Sequence, residues 1–227
     1  MRVLTWNLFH GRSEPGSGRP LLSEFSAALA GWKWDVALLQ EVPPWWPPEL
    51  ARATEAVDRT ALTSRNFCLP VRRFVADRRP DLIKSNGGGS NAILVRGAVE
   101  EHRIRRLRIF PERRVMHAVR LASGAWVANL HATVHRPDRA AADIGLARET
   151  ALRWAGEAPL VVVGGDLNLR TVRLPGFVYA GGCNVDHVFG RGLRPAGGAD
   201  VLDRGTLSDH APVAVTLVEP NGSPDRR

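Results

Sequence analysis

The sequence predicts an α/β domain in which two β-sheets pack face to face between layers of helices. Two observations lead to this prediction. Strand-like apolar runs outnumber helix-like segments, and one amphipathic helical pattern falls in each half of the chain. A sheet buries one face and an amphipathic helix buries one stripe. The economical arrangement is therefore two packed sheets flanked by helices, with each half contributing one sheet and one helical layer.

The first half alternates between strands and helices. Apolar residues at positions 21, 22, 25, 28 and 29 recur at helical spacing, whereas Val36-Ala37-Leu38-Leu39 is a continuous apolar run typical of a buried strand. Four prolines stiffen the segment after Glu41. The predicted elements are a strand from residue 3, a helix over 20–31, a strand over 35–40, a loop over 43–48, a helix over 49–57, a glycine loop over 87–89 and a strand over 92–95.

The second half is richer in strands. Ser123-Gly124 predicts a turn between two antiparallel strands, and a helical stripe formed by Ile144, Ala147, Ala151 and Trp154 precedes a strand that ends at Asp166. The predicted elements are strands over 104–110, 116–121 and 125–130, a helix over 137–156, and strands over 160–166, 177–179, 185–189 and 212–218.

Length and composition favour one domain over residues 1–218, followed by a polar tail over 219–227 that we expect to fray. Cys68 and Cys183 form no zinc-like or Cys-x-x-Cys spacing, so neither a structural zinc nor a disulfide scaffold is expected. Met1 leads directly into the first strand, and no apolar run approaches the length of a membrane span. We expect a cytoplasmic monomer without stable membrane insertion.

Short polar signatures follow several of the apolar runs. Because polar groups at the exits of central strands converge on one pocket, we expect these signatures to meet. Carboxylates, carboxamides and a histidine gathered there suit metal-assisted attack on phosphorus. The signatures are Trp6-Asn7, Gln40-Glu41, Gly165-Asp166-Leu167-Asn168 and Ser208-Asp209-His210.

The order of these fragments resembles the endonuclease/exonuclease/phosphatase superfamily, which includes pancreatic-type deoxyribonucleases, abasic-site endonucleases, inositol polyphosphate phosphatases and neutral sphingomyelinases. Each fragment alone is a weak signal, but six in this order make a specific one, and they span residues 3 to 217. The fragments are Trp6-Asn7-Leu8, Leu39-Gln40-Glu41, Asn129-Leu130-His131, Gly165-Asp166-Leu167-Asn168, Asp186-His187-Val188-Phe189 and Ser208-Asp209-His210-Ala211-Pro212-Val213.

The resemblance implies a four-layer α/β/β/α sandwich whose two sheets are mainly antiparallel, with the site at the mouth between them. It also implies a divalent cation, usually Mg²⁺ with Mn²⁺ as the other candidate, and hydrolysis of a phosphoester bond. Glu41 is the first candidate metal ligand, because a hard cation prefers carboxylate oxygen. Asn7 is expected to hold the metal shell or a phosphate oxygen, and Asp209 to shape the site or join the metal shell.

The remaining candidates have roles in proton transfer and phosphate binding. Asp166 and Asn168 are expected to point the same way along an extended segment, so that Asp166 orients water while Asn168 donates to a phosphoryl oxygen. Since imidazole titrates near neutrality, His210 is the leading acid or base. In the family, the aspartate that matches Asp186 pairs with this histidine. His131 matches a second family histidine, which implies protonation of the leaving oxygen or phosphate binding.

Other residues have less definite roles. Either Arg113 or Arg114 is expected to bind phosphate, and the pattern does not decide between them. Trp45 and Trp46 follow the metal ligand, where they would stack on a base, lie at a lipid interface, or pack on neighbouring prolines. His10 follows the Asn7 strand closely enough to reach the mouth of the site.

Net charge bears on the substrate. The chain carries a charge of +8 and a pI near 10.9, which favours polyanions, although its strong arginine bias does not select one. The leading hypothesis is a magnesium-dependent phosphodiesterase acting on nucleic acid as an endonuclease or exonuclease. One alternative is a phosphatase or phospholipase C-type hydrolase acting on inositol phosphates or sphingomyelin-like lipids, and another is a weakly catalytic binding protein. The chain has no Gly-x-Ser-x-Gly elbow, phosphate loop, dinucleotide fingerprint or His-Glu-x-x-His helix.

Overall fold

Strands dominate the computed structural model, which describes residues 1–64, 66–82, 89–110 and 112–220. The strands within these ranges are β1 (Arg2–Asn7), β2 (Val36–Val42), β3 (Val57–Leu62), β4 (Ser90–Val95), β5 (Val99–Arg108), β6 (Arg114–Leu121), β7 (Trp126–His131), β8 (Val161–Asp166), β9 (Val178–Cys183), β10 (Asp186–Arg191), β11 (Arg194–Pro195), β12 (Asp200–Val201) and β13 (Val213–Val218). The helices are α1 (Leu22–Gly31), α2 (Pro47–Ala53), α3 (Leu69–Ala76) and α4 (Pro137–Ala155), with short 3₁₀ turns at Phe9–Gly11 and Pro80–Leu82.

The strands form two sheets. The first has the order β11-β13-β1-β2-β4-β3 with β12 also paired to β13, and the second has the order β5-β6-β7-β8-β10-β9. Each sheet contains one parallel pair, β1 with β2 and β7 with β8, and its other pairs are antiparallel. Because the carboxyl ends of parallel strands share an edge, each sheet brings two strand ends to the same side of the sandwich.

Three apolar cores hold the layers together. The middle core fills the space between the sheets and includes Leu38, Val127 and Val188. The outer core of the first sheet packs α1 and α2 against it through side chains such as Phe25, and α4 covers the second sheet. Fully burying a side chain such as Phe25 stabilises the fold by about 1.5–3 kcal/mol. The predicted four-layer α/β/β/α sandwich is confirmed.

The division of the sheets between the two halves of the chain differs from the prediction. The last strand, β13, returns to the first sheet and pairs antiparallel with β1, with Leu4 opposite Ala214. Without β13, the edge of β1 would expose a row of unpaired backbone groups, which is why a strand from the far end of the chain covers it. The first sheet is therefore built from both ends of the sequence.

Several element boundaries also needed correction. The helix predicted over 49–57 begins at Pro47 and ends at Ala53, because proline is well tolerated in the first helical turn. Residues from Val57 instead form β3, whose pairing with β4 was not predicted, and α3 was missed as well. The glycines predicted as a loop at 87 and 88, and residues 221–227 of the predicted tail, lie outside the described residues. Within the described ranges, no helix combines the length and hydropathy that a bilayer crossing requires.

Candidate active site

A cleft of about 520 Å³ opens between the two sheets, at the edge where both parallel strand pairs end. Most of the side chains predicted from the sequence line it. They are Asn7, Glu41, Arg113, Arg114, His131, Asp166, Asn168, Asp209 and His210, and His10 lines it too. The fold therefore brings together residues that are up to 203 positions apart in the chain.

Glu41 reaches the cleft because β2 is bulged. Leu39 pairs with Ala92 and Val42 pairs with Ser90, so that Gln40 and Glu41 together lie opposite one residue of β4. Glu41 has a left-handed backbone with φ of +50°, which is uncommon for a residue other than glycine. Its side chain is 22% exposed. The bulge therefore turns one carboxylate out of the sheet and towards the cleft.

Two buried carboxamides support this bulge from below. Gln40 Nε2 donates to Asn129 Oδ1 of the second sheet at 2.8 Å. Asn129 Nδ2 in turn lies 2.9 Å from the Leu39 carbonyl oxygen and 3.0 Å from that of Ala92. Both side chains are fully buried, where an unpaired carbonyl group would be costly. The amide bridge therefore fixes the backbone of the first sheet immediately before Glu41.

Asn7 joins the two sheets at the floor of the cleft. Its Nδ2 donates to Asp166 Oδ2 at 2.9 Å, and its Oδ1 accepts from the Phe9 backbone N–H at 2.9 Å. A carboxamide oxygen has two lone pairs, so Oδ1 retains capacity for a cation or a donor group. Asn7 thus orients Asp166 and keeps one acceptor site towards the cleft.

Asp166 ends β8 and is only 2% exposed. Its Oδ1 accepts from the backbone N–H of Asn168 at 3.0 Å. Burial, together with the nearby charge of Asp186, raises the pKa of Asp166 to about 7. The carboxyl group is therefore close to the midpoint of its titration at neutral pH.

Asn168 lines the cleft, but its backbone is not extended as predicted. The strand ends at Asp166, and Asn168 has a left-handed backbone with φ of +53°, so the alternation of side chains along an extended strand does not apply. Its Nδ2 donates to the Ala132 carbonyl oxygen at 3.0 Å. Because an amide carries two N–H donors, the second is available for a phosphoryl oxygen.

His210 pairs with Asp186 across the sheets. The His210 Nδ1 to Asp186 Oδ2 distance is 2.7 Å, and Nε2 lies 3.9 Å from Asp166 Oδ2. Burial alone would lower the pKa of His210, but the hydrogen bond to Asp186 and the charges of Asp186 and Asp166 raise it to about 9. Burial raises the pKa of Asp186 as well, and the hydrogen bond from His210 opposes that rise. His210 is therefore a cation at neutral pH.

The loop before β13 holds the His210 backbone in place. Ser208 Oγ donates to the Asn7 carbonyl oxygen at 2.6 Å and accepts from the His210 N–H at 3.0 Å. Trp6 Nε1 donates to the His210 carbonyl oxygen at 3.0 Å. The first strand of the chain thus positions a histidine that lies about 200 residues later in the sequence.

His131 ends β7 and is almost fully buried between two acidic groups. Its Nε2 is 3.5 Å from Asp166 Oδ2 and its Nδ1 is 3.9 Å from Glu41 Oε1. Burial, followed by the charges of Arg114, His210 and His10, holds its pKa well below the usual range. A neutral imidazole can donate a hydrogen bond, but it does not fit one of the two predicted roles, protonation of the leaving oxygen.

The two arginines differ in how free their guanidinium groups are. Arg113 donates from Nε to the Thr63 carbonyl oxygen at 2.9 Å. Arg114 is buried, its terminal nitrogen is 2.6 Å from Glu112, and its buried Nε has no hydrogen-bond partner among the described residues. The charge of Arg114 also lowers the pKa of His131. Among the described residues, the Arg113 guanidinium is held by a carbonyl oxygen and keeps its charge unpaired, whereas the charge of Arg114 is paired with Glu112. Both side chains line the cleft.

Neither tryptophan of the 43–48 segment lines the cleft. Trp46 is 6% exposed and lies 5.5 Å from Phe25, measured between ring centroids. Trp45 is partly buried against the same outer core. These positions correct the predicted contact of Trp46 with substrate and favour the alternative that both rings cover the core. The apolar face of α1, which the sequence did not connect to this segment, provides the surface on which Trp46 packs.

The donor atoms of the cleft fit a divalent cation. Asp166, Asp186 and His210 offer ligand atoms within 4.8 Å of one another, but Asp186 and His210 already pair with each other. The Glu41 carboxylate, 22% exposed, and the Asp209 carboxylate, 41% exposed, are more open to solvent, and the buried Asn7 lines the same cleft. Hard oxygen donors of this kind are the ligands that Mg²⁺ and Mn²⁺ accept.

Several residues of the cleft were not predicted. Thr63 and Ser64 come from the segment after β3, a strand that the sequence analysis missed, and Val134 and His135 follow β7. Glu112 precedes the two arginines and binds Arg114. The Glu-Arg-Arg sequence that leads into β6 could have predicted an ion pair between Glu112 and Arg114. Thr63 and Ser64 could not be predicted, because the edge strand β3 before them was not recognised.

Solved structures share this architecture. An endonuclease/exonuclease/phosphatase from Beutenbergia cavernae is 18% identical with a TM-score of 0.69, covering 96% of this chain and 71% of that one. Truncated Caenorhabditis elegans TDP2 is 19% identical with a TM-score of 0.67 and coverages of 95% and 96%. The Bacteroides thetaiotaomicron mannosyl-6-phosphatase Bt3783 is 14% identical with a TM-score of 0.71 and coverages of 96% and 99%. At these identities, the likeness shows the fold.

Sequence comparison supplies the family. No curated protein matches the chain significantly. Residues 4–210 match the family model described as Endonuclease/Exonuclease/phosphatase family, a range that contains the six fragments identified in the sequence up to His210. The match covers most of the chain and agrees with the two stacked sheets and the cleft between them. The chain therefore belongs to the endonuclease/exonuclease/phosphatase family of phosphoesterases.

Proposed function

We propose that the chain is a divalent-metal-dependent phosphodiesterase that acts on nucleic acid. One observation carries the proposal: a buried carboxyl group with a pKa of about 7, Asp166, lies 3.9 Å from a histidine held as a cation, His210. Hydrolysis of a phosphodiester needs a group that accepts the proton of water and groups that stabilise negative charge on phosphorus. Asp166 and His210 supply both within one cleft.

Asp166 is the group that accepts the proton. Its pKa of about 7 lies close to neutral pH, where general-base catalysis is most efficient. Hydrogen bonds from Asn7 and from the Asn168 backbone fix its carboxylate. As the oxygen of the attacking water forms its bond to phosphorus, one proton passes to Asp166 and the bond between phosphorus and the leaving oxygen breaks. The leaving oxygen departs with the bonding electron pair and takes up a proton from solvent.

His210 and Asn168 stabilise the pentavalent state. The protonated His210 imidazole donates to a non-bridging phosphoryl oxygen, while Asp186 holds the ring and its charge. Asn168 donates its free amide N–H to another oxygen, because its first N–H is held by the Ala132 carbonyl. These donors are fixed before substrate arrives, so little reorganisation accompanies the reaction.

Glu41, Asn7 and Asp209 are the residues proposed to hold the cation. When bound, a divalent cation polarises a phosphoryl oxygen and stabilises the charge of the leaving oxygen. Arg113 or Arg114 is proposed to bind phosphate, because both guanidinium groups line the cleft. Neutral His131 is proposed as a hydrogen-bond donor to the same phosphate.

The charge of the protein supports nucleic acid as the substrate. A net charge of +8 attracts a polyanion over the whole surface, and the cleft itself contains Arg113 and Arg114. The likeness to a structure named TDP2 is compatible with this choice but shows only the fold. We further propose that the protein is a cytoplasmic monomer. Size-exclusion chromatography tests its oligomeric state.

A substrate screen tests the proposal. The purified chain is incubated with Mg²⁺ or Mn²⁺ and with single-stranded DNA, duplex DNA, abasic duplex, RNA, sphingomyelin and inositol phosphates, each with and without a chelator. We expect cleavage of a nucleic acid that stops with the chelator and in His210→Ala. Hydrolysis that survives the chelator, or that His210→Ala retains, contradicts the mechanism.

A phosphatase acting on a small phosphorylated compound is the second candidate. It is favoured by the likeness to a mannosyl-6-phosphatase, which has the highest TM-score of the structures described above. The dependence of KM on salt separates the candidates, because nucleic acid binding weakens steeply as salt rises while a small phosphomonoester shows a shallow slope. The absence of turnover on every substrate, with retained nucleic acid binding, would instead support the binding-protein alternative.

A further inference from the structure

The turn after β1 carries a histidine into the cleft. Phe9, His10 and Gly11 all have positive φ, at +49°, +55° and +76°, which places the His10 ring over the bulge of β2. His10 Nε2 lies 3.1 Å from Glu41 Oε2, and the His10 side chain is 12% exposed. Two neighbouring segments, the turn after β1 and the bulge of β2, therefore direct their side chains to one point.

Packing fixes this turn. A Cβ atom at Gly11 would lie 2.3 Å from the ring of Trp46, and one at Gly89 would lie 3.5 Å from His10 Cε1. The turn thus lies directly on the buried Trp46, and the backbone at Gly89 is near the edge of the imidazole. Both neighbours limit the movement of the ring, so the His10 imidazole is held next to Glu41 before any ligand binds.

The separation of the two side chains matches that of metal ligands. In an octahedral site with bonds of about 2.0–2.2 Å, neighbouring ligand atoms lie about 3 Å apart. The distance of 3.1 Å between His10 Nε2 and Glu41 Oε2 fits this spacing. The other imidazole near Glu41 fits it less well, because His131 Nδ1 lies 3.9 Å from Oε1.

We propose that His10 Nε2 and Glu41 Oε2 are neighbouring ligands of the catalytic cation, and that the imidazole makes the centre favour Mn²⁺ over Mg²⁺. The inference rests on the metal-dependent function proposed above. Imidazole nitrogen suits first-row transition ions, whereas Mg²⁺ prefers oxygen ligands and releases its waters reluctantly. His10 would then decide which cation the chain selects, and Glu41 would be required for either.

Manganese electron paramagnetic resonance tests the inference on the full chain without substrate. Titration with Mn²⁺ gives the affinity, and pulsed spectra detect the coupling of a bound ¹⁴N nucleus to the ion. We expect the wild-type protein to show this coupling. His10→Ala should lose it and bind Mn²⁺ about 10-fold or more weakly, with a smaller loss for Mg²⁺ measured by competition.

Three further variants sharpen the test. His10→Gln places an oxygen near the ion, so we expect it to recover Mg²⁺ affinity without recovering the nitrogen coupling. His131→Ala and His135→Ala each remove another imidazole of the cleft and should leave the coupling in place. Coupling that persists in His10→Ala, or that disappears in His131→Ala, overturns the assignment.

The outcome also separates this inference from the proposed function. Wild-type protein that binds Mn²⁺ without any nitrogen coupling would reduce His10 to a residue that positions Glu41 through a hydrogen bond, which overturns the inference alone. Wild-type protein that binds neither cation would overturn the metal-dependent function as well.

Discussion

The two ends of the cleft are built in opposite ways. At one end, the Glu41 end, a carboxylate is 22% exposed next to His10 and depends on a bulge and on left-handed backbone. At the other, the Asp166 end, Asp166 and Asp186 are each 2% exposed and lie directly opposite each other on the regular antiparallel pair β8 and β10.

This difference matches two chemical tasks. A ligand for a hydrated cation must be reachable from solvent, and a bulge is a device that turns a side chain out of a sheet. A group that exchanges protons near neutral pH must have its pKa shifted, and burial beside a like charge does this for a carboxyl group. The left-handed backbone therefore exposes the Glu41 carboxylate to solvent at one end of the cleft. Burial raises the pKa of Asp166 at the other.

We expect the largest effect on activity when the negative charge of Glu41 is removed. Glu41→Gln keeps the shape of the side chain but loses the anionic ligand, and we expect kcat/KM to fall by about 10³-fold, since metal stabilisation is worth several kcal/mol. Steady-state kinetics on the substrate found in the screen measures the loss. Glu49→Gln, at a surface ion pair with Arg52, is the control and should be unaffected. Comparable activity in both variants would show that Glu41 holds no ion.

The next effect lies at the Asp166 end. Asp186→Asn removes the charge that raises the pKa of His210, so this pKa should fall from about 9 towards its ordinary value. Because His210 acts as a cation, activity is lost as pH rises through its pKa. We expect kcat at pH 8 to fall by about 10²-fold or more and the alkaline limb of the pH profile to move to lower pH.

A pH–rate profile of wild-type protein and Asp186→Asn measures both changes. Asp203→Asn, in an exposed turn near β13, should keep the wild-type profile. An alkaline limb that does not move in Asp186→Asn would mean that His210 is not the group titrating there.

The third effect concerns the amide bridge beneath the Glu41 end. Asn129→Leu leaves the Leu39 and Ala92 carbonyls without their donor, and we expect the free energy of unfolding to fall by about 2–4 kcal/mol. Urea denaturation measures it. Thr150→Val removes a buried hydroxyl group without a hydrogen-bond partner among the described residues and should change stability little. Equal changes in both variants would show that the bridge does not hold the bulge.

We expect the smallest effect from His117, whose titration changes the free energy of unfolding as pH falls. His117 is fully buried 3.3 Å from Asn129, and burial holds its pKa well below the usual range. Because its folded-state pKa is depressed, its contribution to stability is present above about pH 6.5 and is lost as pH falls, by up to about 1.4 kcal/mol per pH unit.

Denaturation curves between pH 7.5 and 5 measure this loss in wild-type protein and in His117→Gln. The difference between the two cancels the titration of the other groups, and we expect wild-type protein to lose more stability than the variant. Parallel curves would show that His117 does not titrate on unfolding in this range.

Much of this molecule follows from local sequence patterns. The apolar runs predicted most of the central strands, and the helical spacing of apolar residues predicted α1 and α4 with ends that differ by no more than two residues. The six polar fragments predicted the family. They also contain the cleft residues Asn7, Glu41, His131, Asp166, Asn168, Asp209 and His210. These features are visible in sequence because alternation, helical spacing and short motifs are properties of neighbouring residues.

The errors share a different cause. Trp46 was a candidate for substrate stacking, but α1 lies close enough to bury it. Asn168 was placed on an extended strand, but the chain turns left-handed there. For His131 the sequence left two roles open, and burial, which lowers its pKa, favours phosphate binding over protonation of the leaving oxygen. Each error concerns packing or backbone conformation that no local pattern encodes.

Residue types and their order along the chain were enough to predict the layered α/β architecture, the family and the chemical groups of the site. The raised pKa values of Asp166 and His210 and the contact between His10 and Glu41 became visible only in the folded molecule. A pKa depends on burial and on charges brought close by folding, and the distance between two ligand atoms depends on how separate strands stack.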